Sequence, residues 1–130
     1  MATWDSLSTY VNTHYKVSEQ NDGMIALDFV VGNGRGQRVW LWRVSLLDGL
    51  EEWVQIESAV GKIKAIDLAA AMDLTETTVV GALAKFKDLL TFRHSVPLAD
   101  LQISEFERPL HLVVTTADRL EAKLTGADIF

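Results

Sequence analysis

Cysteine is absent from all 130 residues. That excludes disulfides, thiol nucleophiles and zinc–thiolate centres. No apolar run approaches the roughly 18 residues that a membrane span needs. The opening Met1-Ala2-Thr3-Trp4-Asp5 lacks a basic segment followed by an apolar one, so no secretory signal is expected. Positive charge is also scarce. Twelve Lys and Arg face 18 Asp and Glu, a net charge of −6, which repels bulk DNA and anionic membranes. Arg35, Arg38 and Arg43 form the only candidate basic cluster, and they straddle a loop and a strand. They read as solvated. A cytoplasmic protein without nucleic-acid or membrane partners is expected.

Recognisable chemistry is equally sparse. The histidines are His14, His94 and His111, and no two share ligand spacing, so no metal site is expected. Glycines 32, 34 and 36 are out of register for a phosphate-binding fingerprint, and a strand follows them instead of a helix. They read as a hairpin tip. The serines lack a nucleophile-elbow setting. Glu51 and Glu52 are adjacent on a strand edge and point apart, which gives acid–base catalysis little support. His94 follows Arg93 on the opposite face of a strand and reads as a structural hydrogen-bonding group. Asp28 stands in an apolar strand, where it faces solvent or pairs with Arg43 across a hairpin. No catalytic residue and no cofactor are assigned.

What the chain does have is hydrophobic patterning. Hydrophobic residues make up 48% and charged residues 23%, ordinary for one globular domain spanning 1–130. Trp4, Leu7, Tyr10 or Val11, and Tyr15 recur at helical spacing, with Thr3 as N-cap of a helix over 3–14. Lys16 to Glu19 suggests a short strand before the turn Gln20-Asn21-Asp22-Gly23. Three strand-like runs follow at 24–31, 39–47 and 52–59. In the second, Trp40, Trp42, Val44 and Leu46 share one face and Val39, Leu41, Arg43 and Ser45 the other. In the third, Val54, Ile56 and Ser58 lie opposite Trp53, Gln55 and Glu57. Short glycine-bearing connections, 32–37 and Asp48-Gly49, make these a meander. Gly61 and Lys62 end it, and a helix is expected over 64–72 with Ile66, Ala69 and Ala70 inward.

Residues 66–86 have two readings. One is a helix-turn-helix. Lys64 to Asp88 holds three lysines against four acidic residues, poor material for reaching phosphates. Thr77-Thr78-Val79-Val80-Gly81 also disfavours helix. The other reading makes a strand, with Val80, Ala82, Ala84 and Phe86 on one face. It turns at Lys87-Asp88 into a strand over 89–96. The hairpin is preferred. Ser104 and Glu107 then have capping-box spacing. Phe106, Leu110, Val113, Ala117, Leu120 and Leu124 form an apolar stripe interrupted at Pro109. Gly126 is expected to end this helix, with 127–130 frayed. The fold class is α+β, an antiparallel sheet with helices packed on it in the order α-β-β-β-α-β-β-α.

That order, with its long last helix, resembles class I type III secretion chaperones and the YbjN family. The segments Leu89-Leu90-Thr91-Phe92-Arg93-His94-Ser95-Val96-Pro97-Leu98, Glu105-Phe106-Glu107-Arg108-Pro109-Leu110 and Thr116-Ala117-Asp118-Arg119-Leu120-Glu121 are similar to YbjN-type proteins in particular. The resemblance implies a non-enzymatic domain. Secretion chaperones are acidic homodimers that hold an extended partner polypeptide on hydrophobic patches. Large apolar residues on both faces of 39–47 fit that role. Trp40, Trp42, Trp53 and Phe92 are the candidate protein-binding residues. For Trp40 and Trp42 the competing expectation is burial in the core under the helices, whereas Trp53 among Glu52, Gln55 and Glu57 is expected partly exposed. The alternative function is a DNA-binding regulator using 66–86.

Overall fold

Capping and periodicity explain most elements of the computed structural model, which describes residues 3–125. The expected helix end at Gly126 and the fraying of 127–130 lie outside the described residues. Helix α1 is Trp4–His14, with Thr3 and Ser6 forming a reciprocal capping box. Strands β1 (Val17–Asn21), β2 (Met24–Val31), β3 (Arg35–Leu46) and β4 (Glu51–Lys62) follow. Helix α2 (Leu68–Leu74), strands β5 (Ala82–Phe86) and β6 (Leu89–Pro97), and helix α3 (Ile103–Thr125) complete the order. All strand pairs are antiparallel, in one sheet ordered β1-β2-β3-β4-β6-β5. The architecture is α+β and keeps the expected order, with β1 added at one edge.

The helices cover one face of the sheet. Trp4, Leu7 and Val11 of α1, Ala71 of α2, and Phe106, Leu110, Val113, Ala117 and Leu120 of α3 share one core cluster. Their strand partners are Ile25, Leu27, Val39, Leu41, Val54, Ile56 and Phe92. These occupy alternate positions, the set opposite to Trp40, Trp42 and Trp53. Placing Trp40 and Trp42 in the core under the helices is therefore corrected. Phe92, expected at a binding surface, is fully buried in that core. It lies opposite Ser58 and Leu83 in the ladder and cannot meet a partner directly.

Several boundaries also move. Strand β4 continues through Gly61 to Lys62 instead of ending at 59. A Cβ on Gly61 would stand 2.9 Å from both Ile66 Cδ1 and Thr125 Cγ2, so the glycine admits close helix packing and does not break the strand. Residues 63–65 form a 3₁₀ turn, and α2 starts after Asp67, whose carboxylate accepts from the Ala70 N–H. Ala71 is the buried residue of α2, not Ala69 or Ala70. Asp28 pairs with its register neighbour Arg38, Nε to Oδ1 at 2.9 Å, whereas Arg43 pairs with Glu52. At α3 the Glu105 carboxylate accepts from the Gln102 N–H at 2.9 Å. The cap is thus two residues earlier than Ser104 and Glu107 implied.

No second helix follows α2. Residues 75–81 are turn and loop, and 82–86 is strand, so a helix-turn-helix over 66–86 is not formed. Gly81, at φ 88°, bends the chain into β5, and its N–H donates to His94 Nδ1 at 3.1 Å. Burial holds the His94 imidazole below its ordinary pKa. The unfolded state then takes up the proton more readily. This stabilising contribution is complete above the unfolded value of about 6.5 and is lost as pH falls through the lower folded value. His94→Gln keeps an acceptor for Gly81 and does not titrate. Urea midpoints measured at about pH 7.5 and about pH 5 should separate more for the native chain than for the variant. Equal losses in both would refute this role.

Candidate partner-binding face

The second face of the sheet is covered by no helix among the described residues. Its shape comes from cross-strand register. Trp40 lies opposite Glu57, and Glu57 opposite Arg93; Trp42 lies opposite Gln55, and Gln55 opposite Ser95. Tryptophans and phenylalanine shelter this ladder. The Trp40 and Trp42 rings stand 6.2 Å apart by centroid, and Phe86 from β5 lies 5.6 and 5.4 Å from them. All three tilted pairs are in the range for favourable aromatic contact. The Lys87 ammonium lies 5.2 Å from the Phe86 centroid, a cation–π contact at the margin of the cluster.

Under the rings lies a carboxylate. Glu57 is 1% exposed. Its Oε1 accepts from Trp42 Nε1 at 3.0 Å. Its Oε2 accepts from Thr91 Oγ1 at 2.6 Å and from Arg93 Nε and Nη2 at 3.1 and 3.0 Å. Arg93 also donates to the Lys85 carbonyl at 3.3 Å. Four donors on one carboxylate satisfy a buried charge and also aim the Trp42 indole. With its oxygens so occupied, Glu57 is placed as an anchor for the face and not as a free base.

The same face continues past the aromatic cluster. Trp53 is half-buried between Val44 and Pro97 in the ladder, and its Nε1 donates to Glu51 Oε1 at 3.0 Å. Leu46 follows on the same side and is exposed. Of the four candidate protein-binding residues, Trp40, Trp42 and Trp53 share this face. Phe86, Glu57 and Arg93 belong to it and were not anticipated. Strand alternation alone could have placed Phe86 there; the Glu57–Arg93 pairing needed the register of β4 on β6.

A second polar cluster lies on the helix side. Glu107 Oε2 accepts from the phenols of Tyr10, at 3.0 Å, and Tyr15. Desolvation first, then the Glu107 contact, raises both phenol pKa values above the ordinary tyrosine range. These phenols stay protonated at neutral pH, acting as donors that tie α1 to α3. Phe29 and His111 pack edge to face beside them, with centroids 5.8 Å apart. Among the described residues no group of His, Cys, Asp or Glu could hold a metal, and no helix is long and apolar enough to cross a membrane. Comparison with known proteins finds no matching family model and no matching curated protein.

Proposed function

We propose that the chain is a non-enzymatic domain that binds another polypeptide and acts as a homodimer, as its resemblance to secretion chaperones and YbjN-type proteins implies. The observation that carries the reading is the uncovered sheet face. Trp40, Trp42 and Trp53 are neither in the core cluster nor fully exposed. Half-buried indoles beside an apolar strand offer large contact area at low entropic cost, and such residues concentrate binding energy. A sheet face can take an extended segment or an amphipathic helix. Self-association is supported by a separate apolar patch where Leu68 and Met72 of α2, 47% and 63% exposed, border Leu83 of β5.

Arrays of immobilised peptides of about 12 residues test the first part. The domain is expected to be retained by apolar and aromatic peptides, and Trp53→Ser, a change at the rim of the face, is expected to reduce retention about fivefold. Sedimentation tests the second part: a dimer for the native chain and a monomer for Met72→Glu, because a carboxylate in an apolar contact costs several kcal/mol. A strict monomer that no peptide retains would overturn the reading.

A further inference from the structure

The β3–β4 hairpin projects beyond its neighbours. Strand β2 last pairs with β3 at Met24 and Trp42, and β6 last pairs with β4 at Pro97 and Trp53. From Val44 to Glu51 the two arms pair only with each other in the sheet. The tip is unusual in two ways. Leu47 and Asp48 have φ of 54° and 55°, ahead of Gly49 at 88°. A left-handed backbone is disfavoured for leucine, and turn residues such as Asn adopt it far more readily. The tip also presents its apolar side chains to water, with Leu46, Leu47 and Leu50 at 43%, 64% and 84% exposure. Strain and exposure are both unfavourable in the isolated chain, the pattern of a contact surface held ready.

Apart from Arg43, the charged residues around the tip are acidic. Arg43 is held by Glu52, Nε to Oε2 at 2.5 Å and Nη2 to Oε1 at 2.8 Å, and Asp5 and Asp22 act on the same guanidinium. The segments that contacts bring to the end of this hairpin are 3–5, 22–24 and 97–99. Neither they nor 44–52 contain a Lys or Arg. Asp48, Glu51 and Asp100 are exposed. Leu50, Glu51 and Glu52 line a hollow with Thr3, Pro97 and Ala99. An exposed leucine and the hairpin's acids thus share one surface, with Leu46, Leu47 and Asp48 next to them along the hairpin and Asp100 next to Ala99.

We propose that this tip binds a cationic amphipathic segment of the partner polypeptide. Leu46, Leu47 and Leu50 take its apolar side, and Asp48, Glu51 and Asp100 face its lysines or arginines. This rests on the polypeptide-binding reading and adds the chemistry of the partner. The probe is a labelled Leu/Lys amphipathic peptide of about 14 residues, compared with its Leu/Glu counterpart by fluorescence anisotropy on the full chain. Binding of the Leu/Lys peptide alone is expected, weakening as salt rises from about 50 to about 300 mM. The double variant L47N/L50S should bind about tenfold more weakly, and D48N/E51Q about threefold more weakly with a flatter salt dependence. Asn suits the left-handed position and both leucines are exposed, so the fold is kept, as circular dichroism will verify. Equal binding of the Leu/Glu peptide, unchanged binding by L47N/L50S, or no binding of the Leu/Lys peptide would each overturn the inference. If arrayed neutral apolar peptides are still retained in that case, the broader reading stands and only the tip is wrong.

Discussion

Glu57→Ala is expected to lower the unfolding free energy by about 3 kcal/mol. The carboxylate is buried and accepts four hydrogen bonds. Its removal leaves the Trp42 indole N–H and the Thr91 hydroxyl without their acceptor. Thr91 is fully buried, so water cannot readily replace the lost partner. The Arg93 side chain is 33% exposed, which lets its charge reach solvent and keeps the loss at the low end of the range for broken buried pairs. Three variants separate the contributions. Glu57→Gln keeps an acceptor for Trp42 but puts an amide NH2 in place of the oxygen that accepts from Thr91 and Arg93. With one acceptor retained and the Thr91 hydroxyl free to turn and accept from the amide, it should cost less than alanine. Arg93→Met should be damaging by leaving a buried carboxylate short of its counterion. The double variant E57A/R93M should cost less than the sum of the Glu57→Ala and Arg93→Met losses, because removing the second partner takes away an uncompensated charge, although Trp42 and Thr91 still lack their acceptor. Urea unfolding reads all three. Full additivity would show that Glu57 and Arg93 do not act as a pair. In the binding assay, Glu57→Gln should weaken peptide retention less than Trp53→Ser, since it leaves the indoles in place.

Gly81→Ala carries a comparable expected loss, about 3 kcal/mol. Two effects add. At φ 88° a side chain is strained by about 1–2 kcal/mol whatever surrounds it. A Cβ there would also overlap Phe92 Cε2 and stand 2.8 Å from its Cζ. Phe92 is fully buried, so the ring has no free space to retreat into, and overpacking costs about 1–3 kcal/mol. The opposing gain from a stiffer unfolded chain is only about 0.4–1 kcal/mol. The steric part can be isolated with Phe92→Leu, which opens room where the new methyl would sit. In that background Gly81→Ala should cost at least 1 kcal/mol less than in the native chain. An identical cost in both would assign the whole effect to the backbone. The position matters for the binding face as well, because Gly81 is where the chain enters β5, the strand that carries Phe86 to the tryptophans.

Local patterning was enough for many elements. Strand 24–31 matches its expected bounds, since Ile25, Leu27, Phe29 and Val31 alternate without a break. Helix α1 shows its start because Thr3 is a capping residue ahead of a 3.6-period stripe. The hairpin at 82–97 turns at Lys87-Asp88 as the alternation requires. Its β-branched and glycine-containing entrance defeats the rival helix. Boundaries failed where a tertiary contact overruled a local signal. Gly61 looks like a breaker from its neighbours and becomes a strand residue only because Ile66 and Thr125 pack against it.

The candidate face shows the same division. That the strand at 39–47 is greasy on both sides is written in Val39, Trp40, Leu41 and Trp42. Which side receives the helices is not, because an alternating pattern with large residues in both registers has no preferred inside. Packing made the choice: α1 and α3 bring their stripes onto Ile25, Leu27, Val39 and Leu41, which leaves the indoles on the other side. The Glu57 anchor was equally hidden, because its partners Trp42, Thr91 and Arg93 are 15, 34 and 36 residues away along the chain. Hydrophobic period and capping chemistry act within a few residues, so they were legible from residue order alone. The selection of a sheet face and the meeting of a buried carboxylate with its distant donors depend on strand register and helix docking, which exist only once the whole chain has folded.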